Sequence, residues 1–564
     1  MAAPASRGVG RAREAAWMVL AWLAGAAVFF RGQWTSGFTK LQGNDGDTRL
    51  EAYLCEHWFR VLHGQDSWRS PIFFYPVKDL LGWSDGYVLY QVFYAPLRLL
   101  GCDPFVALQG TVILLSLVGF VSFVVFVRTA FGAGRVVAGI GGLIFTFANS
   151  LFLHAGFTQL NGVYIVPLIL VVGLQSRRAA STRPLRSVVL GALFGILWAL
   201  LFFTTYYVAW FSTLAAGIAV AVLFVAGPRR FVSQAGSARQ WMWRPVGAAV
   251  VAFGLGIIPF LMTYLPARRQ APGPSYALAL SYAGRLHDMI NVGSGNIWSR
   301  LIPHVLPSVN LGAYEKTYAV TPLVVLIALA GGGYAAWRTI TRTAARPVAA
   351  RAATVLVATT IVFALLPLDT RFGSPWAIIY HLPGASAMRA IFRLEVVTGL
   401  LATMTIVAAA TEASGALIAR PHAAILRLAG VALLLLGLVE QVNTSPVSQI
   451  NNHTQVALLR SATPAPSTCR SFYVIDSANA TLPFYEAQID AMLISQKLSL
   501  PTINGYTGYN PPGWGLEQIG AAGYQYNVST WAVRHGVSSG LCELDLADMK
   551  WNQNPLVTIN SEEG

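Results

Sequence analysis

Residues 105–127 read FVALQGTVILLSLVGFVSFVVFV, and these 23 consecutive residues include no charged side chain. As an α-helix they would extend about 35 Å, which exceeds the roughly 30 Å hydrocarbon core of a bilayer. Only a helix satisfies the backbone of a single segment there, because every amide must find its hydrogen-bond partner without water. The stretch therefore predicts a membrane-spanning helix.

Similar apolar runs recur along the 564-residue chain, which is 55% hydrophobic and only 11% charged, whereas soluble domains are about 25% charged. We predict an all-α polytopic membrane protein with eleven transmembrane helices. The first is the run 17–30, which we expect to be retained rather than cleaved as a signal peptide. The other ten lie near 105–127, 136–153, 159–174, 187–204, 206–226, 246–265, 318–337, 352–367, 394–411 and 424–441.

Basic residues are distributed unevenly between the predicted loops. Nineteen of the 39 lysines and arginines lie before the first helix or in every second loop, where acidic residues are nearly absent. This asymmetry is typical of cytoplasmic loops, so it predicts a cytoplasmic amino terminus and an outer carboxyl-terminal segment. The net charge of +15 is then explained by topology, and nucleic acid is not predicted as a partner.

Two outer regions are long enough to carry structure of their own. Hydropathy falls after residue 441, so we predict a transmembrane domain at 1–441 and a small soluble α+β domain at 442–564. All four cysteines face the outer, oxidising side on this topology, which favours a disulfide between Cys469 and Cys542. Unpaired thiols are the alternative, because spacing alone does not decide.

The first outer region, residues 31–104, contains the most informative motif. Residues 43–50 read GNDGDTRL, with Asp45 and Asp47 on a glycine-containing turn, and residues 47–62 follow with apolar positions at helical spacing. Residues 87–100 are apolar but short and contain Pro96, so we predict a helix lying at the membrane surface. The alternative for Asp47 is an N-capping role at the helix that follows.

This region resembles the GT-C superfamily of polytopic membrane glycosyltransferases, which includes protein O-mannosyltransferases and aminoarabinose transferases. The resemblance rests on Asp47-Thr48-Arg49-Leu50 after the first helix, on the block FFYP at 73–76, and on the surface helix that ends at Gly101. It implies that Asp47 acts as a base toward an acceptor, with Asp45 as a second candidate. Thr48 departs from the pattern, because relatives often have Glu directly after that Asp.

Basic residues in the later outer regions are candidates for binding phosphate. Arg268 and Arg269 begin the region 267–318, and attraction to membrane lipid headgroups is the alternative. Arg389 and Arg393 are four residues apart, so we predict that they share one face of a membrane helix. A lipid-linked phosphate would compensate their charge, and a pair with Glu395 is the alternative.

Glu56 and His57 lie in the predicted helix of the first outer region. They are candidates for contact with acceptor or phosphate, or with a divalent cation as a cofactor; the alternative is the polar face of a surface helix. Two such side chains are too few to specify a metal, so no metal site is predicted.

The resemblance implies transfer of a sugar from a polyprenyl-phosphate donor to a glycan, lipid or protein acceptor at the outer face of a bacterial inner membrane. A transporter or flippase for lipid-linked glycans is the first alternative, and a glycan polymerase is the second. A transporter would place polar groups near the membrane midplane, whereas the candidate charges gather at one surface.

Overall fold

The computed structural model describes residues 4–271, 273–312, 314–417, 422–479 and 481–553. Residues 554–564 of the predicted outer domain lie outside these ranges. The amino-terminal half is helical, and its helices are α1 (Pro4–Phe29), α2 (Arg31–Thr35), α3 (Asp47–Leu62), α4 (Gln91–Leu99), α5 (Pro104–Phe131), α6 (Arg135–Thr146), α7 (Asn149–Leu153), α8 (Ile165–Ala179), α9 (Pro184–Thr204), α10 (Tyr206–Ala226), α11 (Pro228–Gly256) and α12 (Ile258–Gln270).

The helical part continues to residue 439. Its remaining helices are α13 (Tyr276–Ser281), α14 (Ile302–Val305), α15 (Pro322–Ile340), α16 (Pro347–Leu365), α17 (Trp376–Ile379), α18 (Glu395–Ala416) and α19 (Ala423–Val439). In the described residues, nine of the eleven predicted spans fall on helical segments long and apolar enough to cross a bilayer. The other two, 17–30 and 424–441, lie on α1 and on the shorter α19, which are not among these segments. Eight helical segments there are long and apolar enough to cross a bilayer alone, and the bent pair formed by Gln240–Gly256 and α12 makes a ninth. The chain is an integral membrane protein.

Proline sets where several of these helices begin. Pro104, Pro184, Pro322 and Pro347 occupy the first positions of α5, α9, α15 and α16, where the missing N–H would have no intrahelical partner. Asp103 completes the start of α5, because its side chain accepts hydrogen bonds from the Phe105 and Val106 amides of the first turn, at 2.9 and 3.0 Å. The 44° bend between α11 and α12 has a related cause, because Pro259 cannot donate a helical hydrogen bond.

Residues 442–553 form a small α+β unit, as predicted. It comprises α20 (Asn452–Ser461), α21 (Phe484–Leu498), α22 (Tyr524–Arg534), β3 (Ser471–Ile475), β4 (Leu541–Asp545) and β5 (Lys550–Asn552). Strand β4 lies in the middle of the sheet, parallel to β3 and antiparallel to β5. Cys469 and Cys542 form a disulfide just before β3 and within β4, with 5.7 Å between their α-carbons.

This unit packs on the first outer region through α3. Arg49 of α3 forms an ion pair with Asp490 of α21. Arg60 donates a hydrogen bond to the Gln496 carbonyl at 2.9 Å, and the Gln496 side chain returns one to the Tyr53 carbonyl at 3.0 Å. Helices α3 and α21, which are distant in sequence, are therefore packed against each other.

A second contact fixes the entry to α3. Strand β1 (Lys40–Leu41) pairs antiparallel with β2 (Ile450–Asn451), and the Gly43 amide donates to the Val447 carbonyl at 2.8 Å. Gly43 has φ +135°, and a β-carbon there would lie 2.3 Å from the Thr48 hydroxyl oxygen, so only glycine fits. The turn that carries Asp45 and Asp47 is thus held from both sides.

Candidate functional site

A large cavity lies between the helical part and the carboxyl-terminal unit. Its volume is about 1150 Å³. Charged groups gather at one end of it, and apolar side chains of α10, α11 and α12 line the rest. Of the eight residues that the sequence analysis proposed for catalysis or substrate binding, four line this cavity, namely Asp47, Arg268, Arg389 and Arg393.

Asp47 is the first residue of α3, directly after Gly46 at the N-cap position. A carboxylate in the first turn is favoured by the helix dipole, so its structural role is compatible with a reactive position in the cavity lining. Burial raises the pKa of Asp47. The positive charges of Arg393 and Arg389 lower this pKa, and the negative charge of Glu315 raises it. The carboxylate therefore faces both arginines while its proton affinity stays above that of a solvent-exposed aspartate.

The sequence predicts that Arg389 and Arg393 share one face of a membrane helix, and this prediction is wrong. Arg389 lies at a bend after the 3-10 helix Ala385–Ala387, and Arg393 lies in the 3-10 helix Ile391–Leu394 that precedes α18. The Tyr207 hydroxyl of α10 accepts hydrogen bonds from the amides of Arg389 and Ala390, at 3.0 and 3.4 Å. These backbone bonds replace the helical ones, so α18 begins only at Glu395.

Arg393 is the more buried of the pair, with 13% of its side chain exposed. It forms an ion pair with Glu315 at 3.1 Å, and its guanidinium lies 3.6 Å from the ring centroid of Phe157. Arg389 is exposed, and its guanidinium lies 5.9 Å from the Tyr282 ring centroid. Arg268 is also exposed, on the last turn of α12. Three guanidinium groups therefore line the cavity.

Three further carboxylates line the cavity, and the sequence analysis missed them all. Glu315 is the ion-pair partner of Arg393. Asp85 accepts a hydrogen bond of 2.6 Å from the Tyr206 amide, the first residue of α10, and burial raises the pKa of Asp85 to about 6. Glu51, one turn after Asp47, accepts bonds of 3.0 Å from the Thr158 amide, and burial raises its pKa well above the usual value.

The apolar part of the cavity is a groove between two helix faces. On α10 the lining residues recur every three or four positions, as Tyr206, Trp210, Leu214, Ile218 and Ala221. The opposite wall repeats the pattern, as Phe253, Ile257, Leu261, Leu265 and Arg268. The fifteen helical steps from Tyr206 to Ala221 correspond to about 22 Å, so the groove runs over much of the depth of a bilayer core.

The remaining candidates of the sequence analysis lie away from the lining. Glu56 pairs with Arg98 at 2.7 Å and accepts a hydrogen bond from Tyr94, and His57 lies 3.4 Å from Asp66. Both thereby hold the first outer region together. Arg269 is exposed beside Arg268 but does not contact the cavity. In the described part of the chain, no three His, Cys, Asp or Glu side chains are placed to share a metal ion.

Asp45 lies outside the lining as well, on the side of the turn that faces α21. Burial raises the pKa of Glu486 and of Tyr485 in that helix, and the charge of Asp45 raises both further. Asp45 and Asp47 thus point toward different surroundings, although they are only two residues apart.

The carboxyl-terminal unit covers the charged end through the loop at 504–514. Tyr506, Gly508 and Tyr509 of this loop line the cavity. Asn504 holds the loop, since its side chain binds the Val474 amide at 2.9 Å and the Gln488 side chain at 2.9 Å. Burial and the neighbouring Asp47 raise the pKa of Tyr506 to about 12. The aromatic loop is therefore part of the site.

Comparison with solved structures places this architecture among the GT-C folds. The crystal structure of the Archaeoglobus fulgidus oligosaccharyltransferase in the apo form superposes with a TM-score of 0.51 and 13% identity, over 93% of this chain and 68% of that one. A second structure of the same enzyme, with Zn and sulfate, gives 0.48 and 14%, over 86% and 62%. The chain spans about two thirds or less of that enzyme's length. The chain has a GT-C fold.

A further similar structure is ArnT from Cupriavidus metallidurans bound to undecaprenyl phosphate, with a TM-score of 0.43 and 12% identity over 86% of this chain and 85% of that one. No protein-family profile matches the sequence. No curated protein sequence matches it either.

Proposed function

We propose that the chain is a membrane glycosyltransferase that moves a sugar from a polyprenyl-phosphate donor to an acceptor hydroxyl. One observation carries the proposal: a single cavity joins a carboxylate, three arginines and a long apolar groove. A lipid-linked sugar phosphate has these three parts in the same order, namely a reacting sugar, a charged phosphate and an apolar chain. The GT-C fold, which is shared with an oligosaccharyltransferase, supports the proposal.

The arginines bind the donor phosphate in this account. Guanidinium groups pair with phosphate oxygens through two parallel hydrogen bonds, and the low exposure of Arg393 strengthens that pairing. Arg389 and Arg268 add charge from the exposed side. The polyprenyl chain then lies in the groove between α10 and α12, where its burial between apolar side chains fixes the phosphate at the charged end.

Asp47 acts as the general base. It accepts the proton of the acceptor hydroxyl, whose oxygen attacks the anomeric carbon of the donor sugar. The new glycosidic bond forms as the bond between that carbon and the phosphate oxygen breaks, and the phosphate leaves on the lipid with the electron pair. The raised pKa of Asp47 suits this role, because a stronger base accepts the proton more readily.

The proposal includes an orientation. The membrane is a bacterial inner membrane, and the arginine-rich loops lie in the cytoplasm. The charged end of the cavity and residues 442–564 lie on the outer side. Donor, acceptor and the carboxyl-terminal unit then meet on one face.

The test uses the purified chain in lipid vesicles with a panel of polyprenyl-phosphate sugars that are radiolabelled in the sugar, together with a glycan extract. A transferase releases unlabelled polyprenyl phosphate and places the label on a water-soluble or lipid acceptor. A flippase instead moves the intact labelled donor across the bilayer. Movement without cleavage of the sugar–phosphate bond contradicts the proposal, and so does the absence of both.

A further inference from the structure

We infer that Phe484, Tyr485 and Tyr506, with the carboxylates of Asp45 and Glu486, form a subsite for a neutral saccharide at the mouth of the cavity. These five residues are called the aromatic subsite below. The inference rests on the proposed function, because it assigns the acceptor as a carbohydrate. It also predicts saccharide binding that is measurable without any transfer.

Three rings from two chain segments meet in the aromatic subsite. The ring centroids of Phe484 and Tyr506 are 5.9 Å apart, those of Tyr485 and Tyr506 are 6.4 Å apart, and the interplanar angles are 53° and 55°. Phe484 is 41% exposed, and the two tyrosines are half-buried. Accessible ring faces inclined to one another offer apolar surface to the C–H face of a sugar, with hydroxyl groups nearby.

The rings stand directly against the turn that carries the proposed base. A β-carbon built on Gly46 would lie 3.7 Å from a ring carbon of Tyr485 and 3.8 Å from the Tyr506 hydroxyl oxygen. Gly46 is bonded to Asp47, and Tyr506 also lines the cavity. A sugar stacked on these rings therefore lies beside the residue that directly precedes Asp47.

The backbone that carries Tyr506 is held in place, which limits the freedom of its ring before a ligand binds. Its amide donates a hydrogen bond to the sulfur of Met492 at 3.2 Å. The preceding Gly505 lies against Phe74, and a β-carbon there would be 2.6 Å from that ring. A ring that is already ordered loses little conformational entropy when a ligand stacks on it.

Two carboxylates beside the rings are available to sugar hydroxyls. Arg49 forms its ion pair with Asp490, and within the described ranges neither the Asp45 carboxylate nor the Glu486 carboxylate has an ion-pair or hydrogen-bond partner. Burial raises the pKa of Glu486, the nearby carboxylates of Asp45 and Asp490 raise it further, and Arg49 lowers it. Carboxylates accept hydrogen bonds from hydroxyl groups, whereas an anionic acceptor would be repelled.

The neighbouring sheet edge disfavours a peptide as the occupant. Extended peptides commonly add to an exposed edge strand. Here the edge of β3 is covered by the chain at 501–503, since Phe472 donates to the Pro501 carbonyl and Ile503 donates to the Phe472 carbonyl, both at 3.0 Å. The rings and carboxylates remain at least partly accessible, and they fit a saccharide.

The test measures binding of a panel of neutral methyl glycosides, pyranosides and furanosides, to the full chain in detergent micelles by ligand-observed NMR. At least one glycoside binds the wild type. Tyr485→Ala and Phe484→Ala each weaken the binding of that glycoside about 5- to 10-fold, as expected for loss of one stacking ring. Tyr485→Phe retains the ring and stays within about twofold. The matched control is Tyr526→Ala, which removes an exposed tyrosine of α22.

A parallel titration with undecaprenyl phosphate separates this inference from the proposed function and reports that each variant is folded. Unchanged lipid-phosphate binding with lost glycoside binding supports the aromatic subsite. If the wild type binds glycosides but no lipid phosphate, the subsite stands and the proposed donor fails. If no glycoside binds, if Tyr485→Ala and Phe484→Ala bind it as the wild type does, or if short peptides bind in its place, the inference is overturned.

Discussion

Replacing Arg393 is expected to weaken binding of a polyprenyl phosphate much more than replacing Arg389. Arg393 is 13% exposed and packs over the Phe157 ring, so its bond to phosphate forms away from water. Losing one partner of a buried, hydrogen-bonded charge pair costs about 2–5 kcal/mol, which corresponds to about 30- to 4000-fold in affinity. Arg389 is exposed, where a pair is worth about 0.2–1 kcal/mol, or at most about fivefold.

The assay is equilibrium binding of a short-chain polyprenyl phosphate to the purified protein at two salt concentrations. Arg393→Lys retains the charge but loses the planar two-bond geometry, so it falls between the wild type and Arg393→Ala. The contribution of Arg389 shrinks at high salt, because exposed charges are screened. Arg269→Ala serves as the control, since Arg269 does not contact the cavity. Equal losses from Arg393→Ala and Arg389→Ala would refute the reasoning.

Four other changes test parts of the site. Glu315→Gln removes the competitor of the phosphate for Arg393, so binding tightens about 1.5- to 5-fold in the same assay. The pKa of Asp85 is about 6 in the folded chain and about 3.9 in the unfolded chain. The folded chain therefore binds this proton more tightly and loses stability as pH rises between these values. Asp85→Asn raises the melting temperature at pH 8 and leaves it nearly unchanged at pH 4. Cys469→Ser opens a 73-residue loop, and the resulting loss of about 4 kcal/mol appears as faster proteolysis of the carboxyl-terminal unit. Gly43→Ala forces the turn before Asp47 to move and lowers sugar transfer.

The membrane architecture follows from local sequence properties. A run of apolar residues specifies a spanning helix by its length alone, and the prediction of a helix at 47–62 agrees with α3 at both ends. The helix at 91–99 is short, as the length of its apolar run and Pro96 indicated. These features depend on residues near in sequence, so pattern and length are sufficient.

The site depends on contacts that no local pattern records. Asp85 lines the cavity because it binds the first amide of α10, 121 residues later, and Tyr506 arrives from the carboxyl-terminal unit. The error at Arg389 and Arg393 has the same origin, because the Tyr207 hydroxyl takes the backbone amides that a continuous helix would have used. Asp47 stands in a recognisable motif and Arg393 is four residues from Arg389, whereas no motif or spacing marks Glu315 in the sequence.

The central claim is that Asp47 removes a proton from the acceptor while the arginines hold the donor. It is tested most directly by single-turnover sugar transfer with donor prebound to the wild type, Asp47→Asn and Asp45→Asn. The account predicts that Asp47→Asn binds the donor within about twofold of the wild type and transfers its sugar at least about 100-fold more slowly, as for loss of a general base. Asp45→Asn retains the chemical step. Full transfer by Asp47→Asn would contradict the account.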